Sequence, residues 1–149
     1  MRCVVQRVKE ASVSVEGEIT GRIESGILAL IGVSREDTEA DLRYIRDKVA
    51  HLRIFDDENG VMNRSVLDVG GSILAVSQFT LYGDARGGRR PSYFRAAGPE
   101  EANAQYERLI AAWREMGIPV STGRFRTEMQ VSLINDGPVT ILLDSEKAF

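Results

Sequence analysis

Gly70-Gly-Ser-Ile-Leu-Ala-Val-Ser-Gln-Phe-Thr-Leu81 decides how this chain is read. Residues 73–76 are an unbroken apolar run behind a Gly-Gly break, the pattern of a short strand buried on both faces. Polarity then changes at once, with Ser77, Gln78 and Thr80 arriving around Phe79. Side chains alternate along a strand, so Gln78 and Thr80 are expected on one face and Ser77 and Phe79 on the other. Polar groups at the mouth of a buried strand must find partners or line a site. An arginine cluster follows in Arg86, Arg89, Arg90 and Arg95. The chemistry is expected where the polar strand end meets that basic segment.

Upstream, residues 2–9 and 11–16 read as two strands, with Ser12, Val13, Ser14 and Val15 alternating cleanly. Glu16-Gly-Glu18 is a turn, and residues 19–24 form its partner strand. Gly26 introduces a buried strand over 27–33. Residues 34–38 then turn into a helix whose apolar face is Leu42, Ile45, Val49 and Leu52. Its wet face offers Glu39–Arg43 and Arg43–Asp47 as i,i+4 pairs, worth only about 0.2–0.5 kcal/mol each. A short strand is expected at 53–55, and Asp56-Asp-Glu-Asn-Gly60 is a turn whose spacing does not match a calcium loop.

Downstream, residues 83–98 form a long segment without regular structure, with Tyr82, Tyr93 and Phe94 flanking the arginines. That mix stands equally as a nucleic-acid surface or as a solvated basic loop with its aromatics tucked inward. Gly98-Pro-Glu-Glu101 opens a second helix, with acids at the positive end of its dipole. Its stripe of Ala102, Tyr106, Leu109, Ile110 and Trp113 is core, and Gly117-Ile-Pro119 stops it. Strands are expected at 120–123, 129–135 and 139–143. Asp136-Gly137 between the last two is a hairpin signal, Pro138 sits at a tolerated strand start, and nothing local argues for a cis bond before it.

The whole is expected to be one α+β domain over 1–149: a mostly antiparallel or mixed, barrel-like sheet with two covering helices. Hydrophobic residues at 43% and charged ones at 28% are ordinary for a globular protein. Cys3 is the only cysteine, which leaves no disulfide framework and no thiol cluster for zinc. No apolar run at the start suits a signal peptide, and no segment has the length of a membrane span. A reducing, cytoplasmic setting is expected. The net charge of −3 gives no global attraction for nucleic acid, so a polyanion would need a local patch. Most of the cations are arginines, whose forks suit phosphate. His51 is the only histidine and falls in a helical pattern, so a Ser-His-Asp triad has little support. Any metal site would depend on carboxylates; neither metal nor cofactor is expected.

Two stretches, Ser77-Gln-Phe-Thr-Leu81 and Asn135-Asp-Gly-Pro-Val-Thr140, carry a family resemblance. Gln6-Arg-Val8, Ala11-Ser-Val-Ser-Val-Glu-Gly17, Arg90-Pro-Ser92, Thr122-Gly-Arg-Phe125 and Met129-Gln-Val-Ser132 support it in order. Together they resemble the D-aminoacyl-tRNA deacylases of the bacterial and eukaryotic type, from residue 1 to about 143. The resemblance implies a homodimer with an active site at each subunit interface. It implies hydrolysis of the ester joining a D-amino acid, or glycine, to the terminal adenosine of tRNA. Carried over, Gly137-Pro138 is a cis dipeptide that gates chirality in the partner's pocket, and Arg7 braces it. Ser77, Gln78, Phe79 and Thr80 line the catalytic pocket. The Phe79 and Thr80 amides become candidate oxyanion donors, with an RNA hydroxyl or water assisting. A direct Thr80 nucleophile is the alternative, though the sequence shows no base beside it. Arg86, Arg89, Arg90 and Arg95 become an acceptor-stem contact. The rivals are a nucleic-acid-binding module of the same fold and a relative with a trans bond that admits some L-substrates. A metal-dependent hydrolase is a third.

Overall fold

The computed structural model describes all residues, Met1–Phe149. Its backbone is organised by two long antiparallel strands, β1 (Arg2–Val15) and β8 (Gln130–Asp144), at opposite ends of the sequence. Both were expected as pairs of shorter strands. The polar Lys9-Glu10 step in β1 looks like a break, but the strand only changes neighbours there. Its first half pairs with β3 (Gly26–Gly32), and its second half pairs with β2 (Glu18–Ile23). Register shifts against β8 on either side of Val8 absorb the bend, as bulges do.

Asp136-Gly137 is therefore not a hairpin turn, and the local signal was misleading. Residues 136–139 bulge out of β8 opposite Arg7, between the Gln6–Thr140 and Val8–Asn135 pairings. Asn135 caps the bulge by accepting the Val139 N–H on Oδ1 at 2.8 Å. Long-range pairing with β1 outweighs the turn preference of a dipeptide.

The rest of the sheet is mixed. β3 runs parallel to β6 (Ser72–Ser77), which runs parallel to β7 (Val120–Thr122). Β2 returns against β7 and nearly closes a barrel. A Cβ on Gly21 would stand 2.2 Å from the Thr122 carbonyl oxygen, so only glycine permits that approach. Ser121 Oγ also donates to the Arg22 carbonyl at 3.1 Å.

Alternation on β3 and β6 feeds two cores. Leu28, Leu74 and Val76 point into the barrel with Val8, Ala11, Val13 and Ile23. Ile27, Ala29, Ile31, Ile73 and Ala75 face the helices. The 73–76 run is thus buried on both faces, as its composition requires. Ile73, Leu74 and Val76 each contribute about 1.5–3 kcal/mol on burial.

Two long helices cover the outer face. In α1 (Glu39–His51), Leu42, Ile45 and Val49 are buried, and the Thr38 N–H donates to Asp41 Oδ2 at 2.8 Å to start the helix. The i,i+4 pairs expected on its wet face give way to Glu39–Arg108 and Arg46–Asp47 bridges. A short helix, α2 (Val66–Val69), was not anticipated. Its Ser65 and Asp68 cap one another, through Ser65 N–H to Asp68 Oδ2 and Asp68 N–H to Ser65 Oγ. The second long helix, α3 (Pro99–Glu115), buries the expected stripe. Tyr106 Oη donates to the Ala75 carbonyl at 2.7 Å, and Trp113 Nε1 to the Arg46 carbonyl at 3.1 Å. These bonds tie α3 to β6 and α1. A small separate ribbon joins β4 (Phe55–Asp56) to β5 (Met62–Arg64), displacing the strand expected at 53–55 by about two residues. No helix is long and apolar enough to cross a membrane.

Candidate active site

The site begins where β6 stops. Ser77 still pairs with Ile31, and the Gln78 N–H donates to the Ile31 carbonyl at 2.7 Å. The strand does not continue through Thr80, so the expected two-faced alternation ends at Ser77. Phe79–Tyr82 wind into a single 3-10 turn instead. Gly32 makes this possible, because a Cβ there would lie 3.0 Å from Leu81 Cβ and 3.2 Å from the Gln78 carbonyl oxygen. Within the turn, Leu81 N–H donates to Gln78 and Gly83 N–H to Thr80. The Phe79 and Thr80 amides lead the turn and make no bond within it. Gln78 Nε2 donates to Thr80 Oγ1 at 3.1 Å, which fixes both side chains at the mouth.

A cleft of about 580 Å³ opens over this turn. Ser77, Gln78, Phe79 and Thr80 all border it, so the structure brings these four together as expected. Phe79 meets Tyr93 edge-on, with ring centroids 5.1 Å apart. Val33, Ala96 and Ala97 give one apolar wall, and Phe125 and Met129 another. Sequence reasoning named Phe125 only as a family-matching position, and Met129 as that and as the start of an expected strand that in fact begins at Gln130; an irregular loop offers no periodicity to reveal either as a lining residue. Arg126 and Thr127 were missed altogether. Arg126 is the only ionisable group besides Tyr93 among the fourteen lining residues. No carboxylate, lysine or histidine borders the cleft. His51 is exposed in the last turn of α1 and takes no part in it.

Gly137 and Pro138 lie elsewhere in the chain. They are exposed, and the bond between them is cis. Arg7 stands directly behind them. Its Nε donates to the Asp136 carbonyl at 3.0 Å and its Nη1 to the Ile54 carbonyl at 2.6 Å, with the carboxylates of Asp56 and Asp136 at 3.6 and 3.7 Å. Strand register separates this bulge from the cleft. Arg7 sits level with Ile27 and Ile73, whereas Ser77 is level with Ile31. That is roughly 13 Å along the strands, with β1 and β3 lying between β8 and β6. Within one chain, the dipeptide does not border the cleft.

The arginine segment is more ordered than the sequence suggested, because Asp84 and Ser92 pair across it. Its four cations are not equivalent. Arg86 forks onto Asp84 at 2.7 and 2.9 Å, and that contact holds the Asp84 carboxyl well below the usual carboxylate range. Arg95 is paired with Glu146 at 2.5 Å and stacks near the Tyr82 ring. Arg89 and Arg90 are exposed and form no ion pair. Leu133, Ile134 and Leu142 are exposed apolar side chains on β8, a strand whose second edge pairs with nothing.

A family model described as D-Tyr-tRNA(Tyr) deacylase matches residues 4–144. A D-aminoacyl-tRNA deacylase of Bacillus pumilus is 63% identical over 147 residues, covering 99% of this chain and all of that one. The protein of that name from Desulfitobacterium hafniense is 61% identical over 149 residues and spans both chains fully. Among solved structures, one described as c-Myc DNA unwinding element binding protein superposes with a TM-score of 0.92 at 41% identity, covering 97% of this chain and 98% of the other. A probable eukaryotic D-amino acid tRNA deacylase shares the fold at 18% identity, with a TM-score of 0.81 over 96% of this chain and 98% of that one.

Proposed function

The chain belongs to the D-Tyr-tRNA(Tyr) deacylase family and is a hydrolase of D-aminoacyl-tRNA, and from that premise we propose that two copies assemble so that each Gly137-Pro138 enters the cleft of the other. The exposed β8 edge, with Leu133, Ile134 and Leu142, supplies the surface. An exposed dipeptide held from behind by Arg7, yet unable to reach its own cleft, supports the exchange.

In the assembled site the dipeptide is a main-chain wall beside the α-carbon of the aminoacyl group. Backbone held by two hydrogen bonds cannot swing aside as a side chain does. Gly137 lets the wall stand close, and Pro138 fixes φ. A D-side chain points away from it and an L-side chain collides. Glycine has nothing to collide and passes. The wall reads only the α-carbon, so the identity of the D-side chain matters little. Arg7 is the positioning residue of this filter, and Ser77, Gln78, Phe79 and Thr80 form the floor.

The observation that carries the mechanism is the absence of any carboxylate, lysine or histidine along the cleft. No side chain there suits a general base at neutral pH. The substrate has its own group in the ribose hydroxyl next to the ester. That hydroxyl orients and activates water, whose oxygen bonds to the ester carbonyl carbon. The Phe79 and Thr80 amides receive the developing oxyanion. Collapse breaks the bond to the ribose oxygen, which takes the proton and leaves free D-amino acid and tRNA. Thr80 Oγ1, engaged by Gln78, orients and does not attack. The reaction belongs in the cytoplasm, where charged tRNA is used and a lone thiol such as Cys3 stays reduced.

The test is release of tyrosine from D- and L-tyrosyl-tRNA, each made with a normal and a 2′-deoxy terminal adenosine. The D-ester with an intact ribose should turn over, and the deoxy substrate should fall on the order of 10²-fold or more. Equal turnover of the deoxy substrate would assign catalysis to the protein instead.

One observation favours a second reading, a nucleic-acid-binding module. The 41% identical solved structure carries a DNA-binding name, and Arg89 and Arg90 are unpaired here. On that reading, duplex DNA would be bound at physiological salt with no preference for charged tRNA.

A further inference from the structure

Beside the cleft stands a side-chain pair that hydrolysis of the ester leaves unused. Phe94 is 72% exposed, the most exposed large apolar side chain in the chain. The Arg35 guanidinium lies 4.4 Å from the centre of its ring. Arg35 is itself exposed and joins no carboxylate. Neither residue hangs from a loose loop. The Arg35 N–H donates to the Arg95 carbonyl at 3.0 Å, the Ala97 N–H to Val33 at 2.9 Å, and Ser34 pairs with Ala96. Val33, Tyr93, Ala96 and Ala97 on these same two segments line the cleft, so the pair stands on its rim.

A fixed aromatic ring open to solvent, with an unneutralised planar cation against it, suits one kind of ligand. A nucleotide brings a flat base to stack and a phosphate to pair. We infer that Phe94 and Arg35 seat the unpaired nucleotide that precedes the terminal adenosine, base on Phe94 and phosphate on Arg35. This rests on the terminal adenosine entering the cleft at Ser77–Thr80, as proposed above. Aromatic stacking accepts any base. The pair therefore adds affinity common to all tRNA 3′ ends and leaves recognition of the amino acid to the cleft. Arg89 and Arg90, exposed on the same segment as Phe94, offer further cations for phosphates beyond that nucleotide.

The experiment compares two D-tyrosyl esters: full-length tRNA and adenosine alone, which lacks the preceding nucleotide. Phe94→Ala and Arg35→Ala should each raise KM for the tRNA about tenfold, with kcat little changed. Neither should alter kcat/KM on D-tyrosyl-adenosine. Phe94→Trp should restore the tRNA KM, and its fluorescence should be quenched by a CCA trinucleotide. Variants that match wild type on both substrates would overturn the nucleotide seat, as would variants that lose both equally. Wild-type protein inert toward both esters would instead overturn the assignment of the cleft.

Discussion

Arg7 Nε holds the carbonyl oxygen of Asp136 at 3.0 Å, one residue ahead of the dipeptide that leaves the β8 ladder. Arg7 sits on β1, the strand β8 pairs with, so the bulge is tied to the rigid part of the sheet. Its side chain is only 12% exposed and keeps two carboxylates nearby. Arg7→Ala removes both carbonyl contacts and should cost about 2–3 kcal/mol of stability. A wall displaced by about 1 Å should narrow the D/L ratio roughly 10²-fold. Parallel deacylation of D- and L-tyrosyl-tRNA, beside a melting curve, checks both. Arg7→Lys should keep the charge and still lose selectivity, because an ammonium cannot reach both Ile54 and Asp136 as the guanidinium fork does.

Gly137→Ala probes the wall from the other side. A Cβ there would stand 2.8 Å from Val139 Cγ2 and 3.1 Å from Arg7 Nη2, at a φ of +132° that L-residues rarely adopt. The strain is about 1–3 kcal/mol. The bulge should shift, lowering the melting temperature and D-ester turnover together. A variant with wild-type stability and wild-type selectivity would show that the dipeptide borders no substrate.

Much of this architecture was legible in advance. The buried run at 73–76, the two amphipathic helices and the polar residues at 77–80 follow from periodicity and burial, which are local. Two of the errors share one cause. At Lys9-Glu10 and at Asp136-Gly137 the sequence carries a local break signal, and pairing between opposite ends of the chain overrides it. The turn at Phe79 depends on Gly32 on another strand, and the Phe125 and Met129 wall on a loop docking across the barrel mouth. The short helix at Val66–Val69 has a local signal in the Ser65 and Asp68 capping pair, but at four residues it is too short to show periodicity. That the dipeptide lies away from its own cleft depends on strand register, which no short stretch encodes.

Thr80→Ala separates the two roles open to that hydroxyl. Gln78 Nε2 engages it, and no base borders the cleft to take its proton. Losing one orienting hydrogen bond should slow turnover of D-tyrosyl-tRNA by about tenfold or less. A fall of about 10⁴-fold or more, with a covalent tyrosyl adduct seen by mass spectrometry of the wild-type enzyme, would make Thr80 the nucleophile.

Cys3 reports on folding because β1 buries it completely. Burial pushes its thiol from 9.0 up to about 12. The folded form therefore keeps its proton where the unfolded form loses it. The stabilisation is fully present below pH 9.0 and is lost as pH rises toward about 12. Native protein at pH 8 should not react with a disulfide reagent, and labelling should track global unfolding in urea. Cys3→Ala should lower stability at neutral pH and flatten its decline above pH 9. Rapid labelling under native conditions would mean that the β1 end opens locally.

The salt dependence of tRNA binding should divide the arginine segment in two. Arg89 and Arg90 have no carboxylate partner, whereas Arg86 is already committed to Asp84 through both of its fork nitrogens. A cation neutralised within the protein releases no counterion when RNA arrives. Each phosphate contact contributes a slope of roughly 0.7–0.9 in log K against log salt. The Arg89→Ala, Arg90→Ala double variant should flatten that slope by about 1.5 and weaken binding of every tRNA alike. Arg86→Ala should leave the slope unchanged, since removing it only frees the Asp84 carboxylate. Titrations of uncharged tRNA across about 50–200 mM salt give both numbers. An Arg86→Ala slope that falls as far as that of the double variant would mean that the RNA breaks the Asp84 pair on binding.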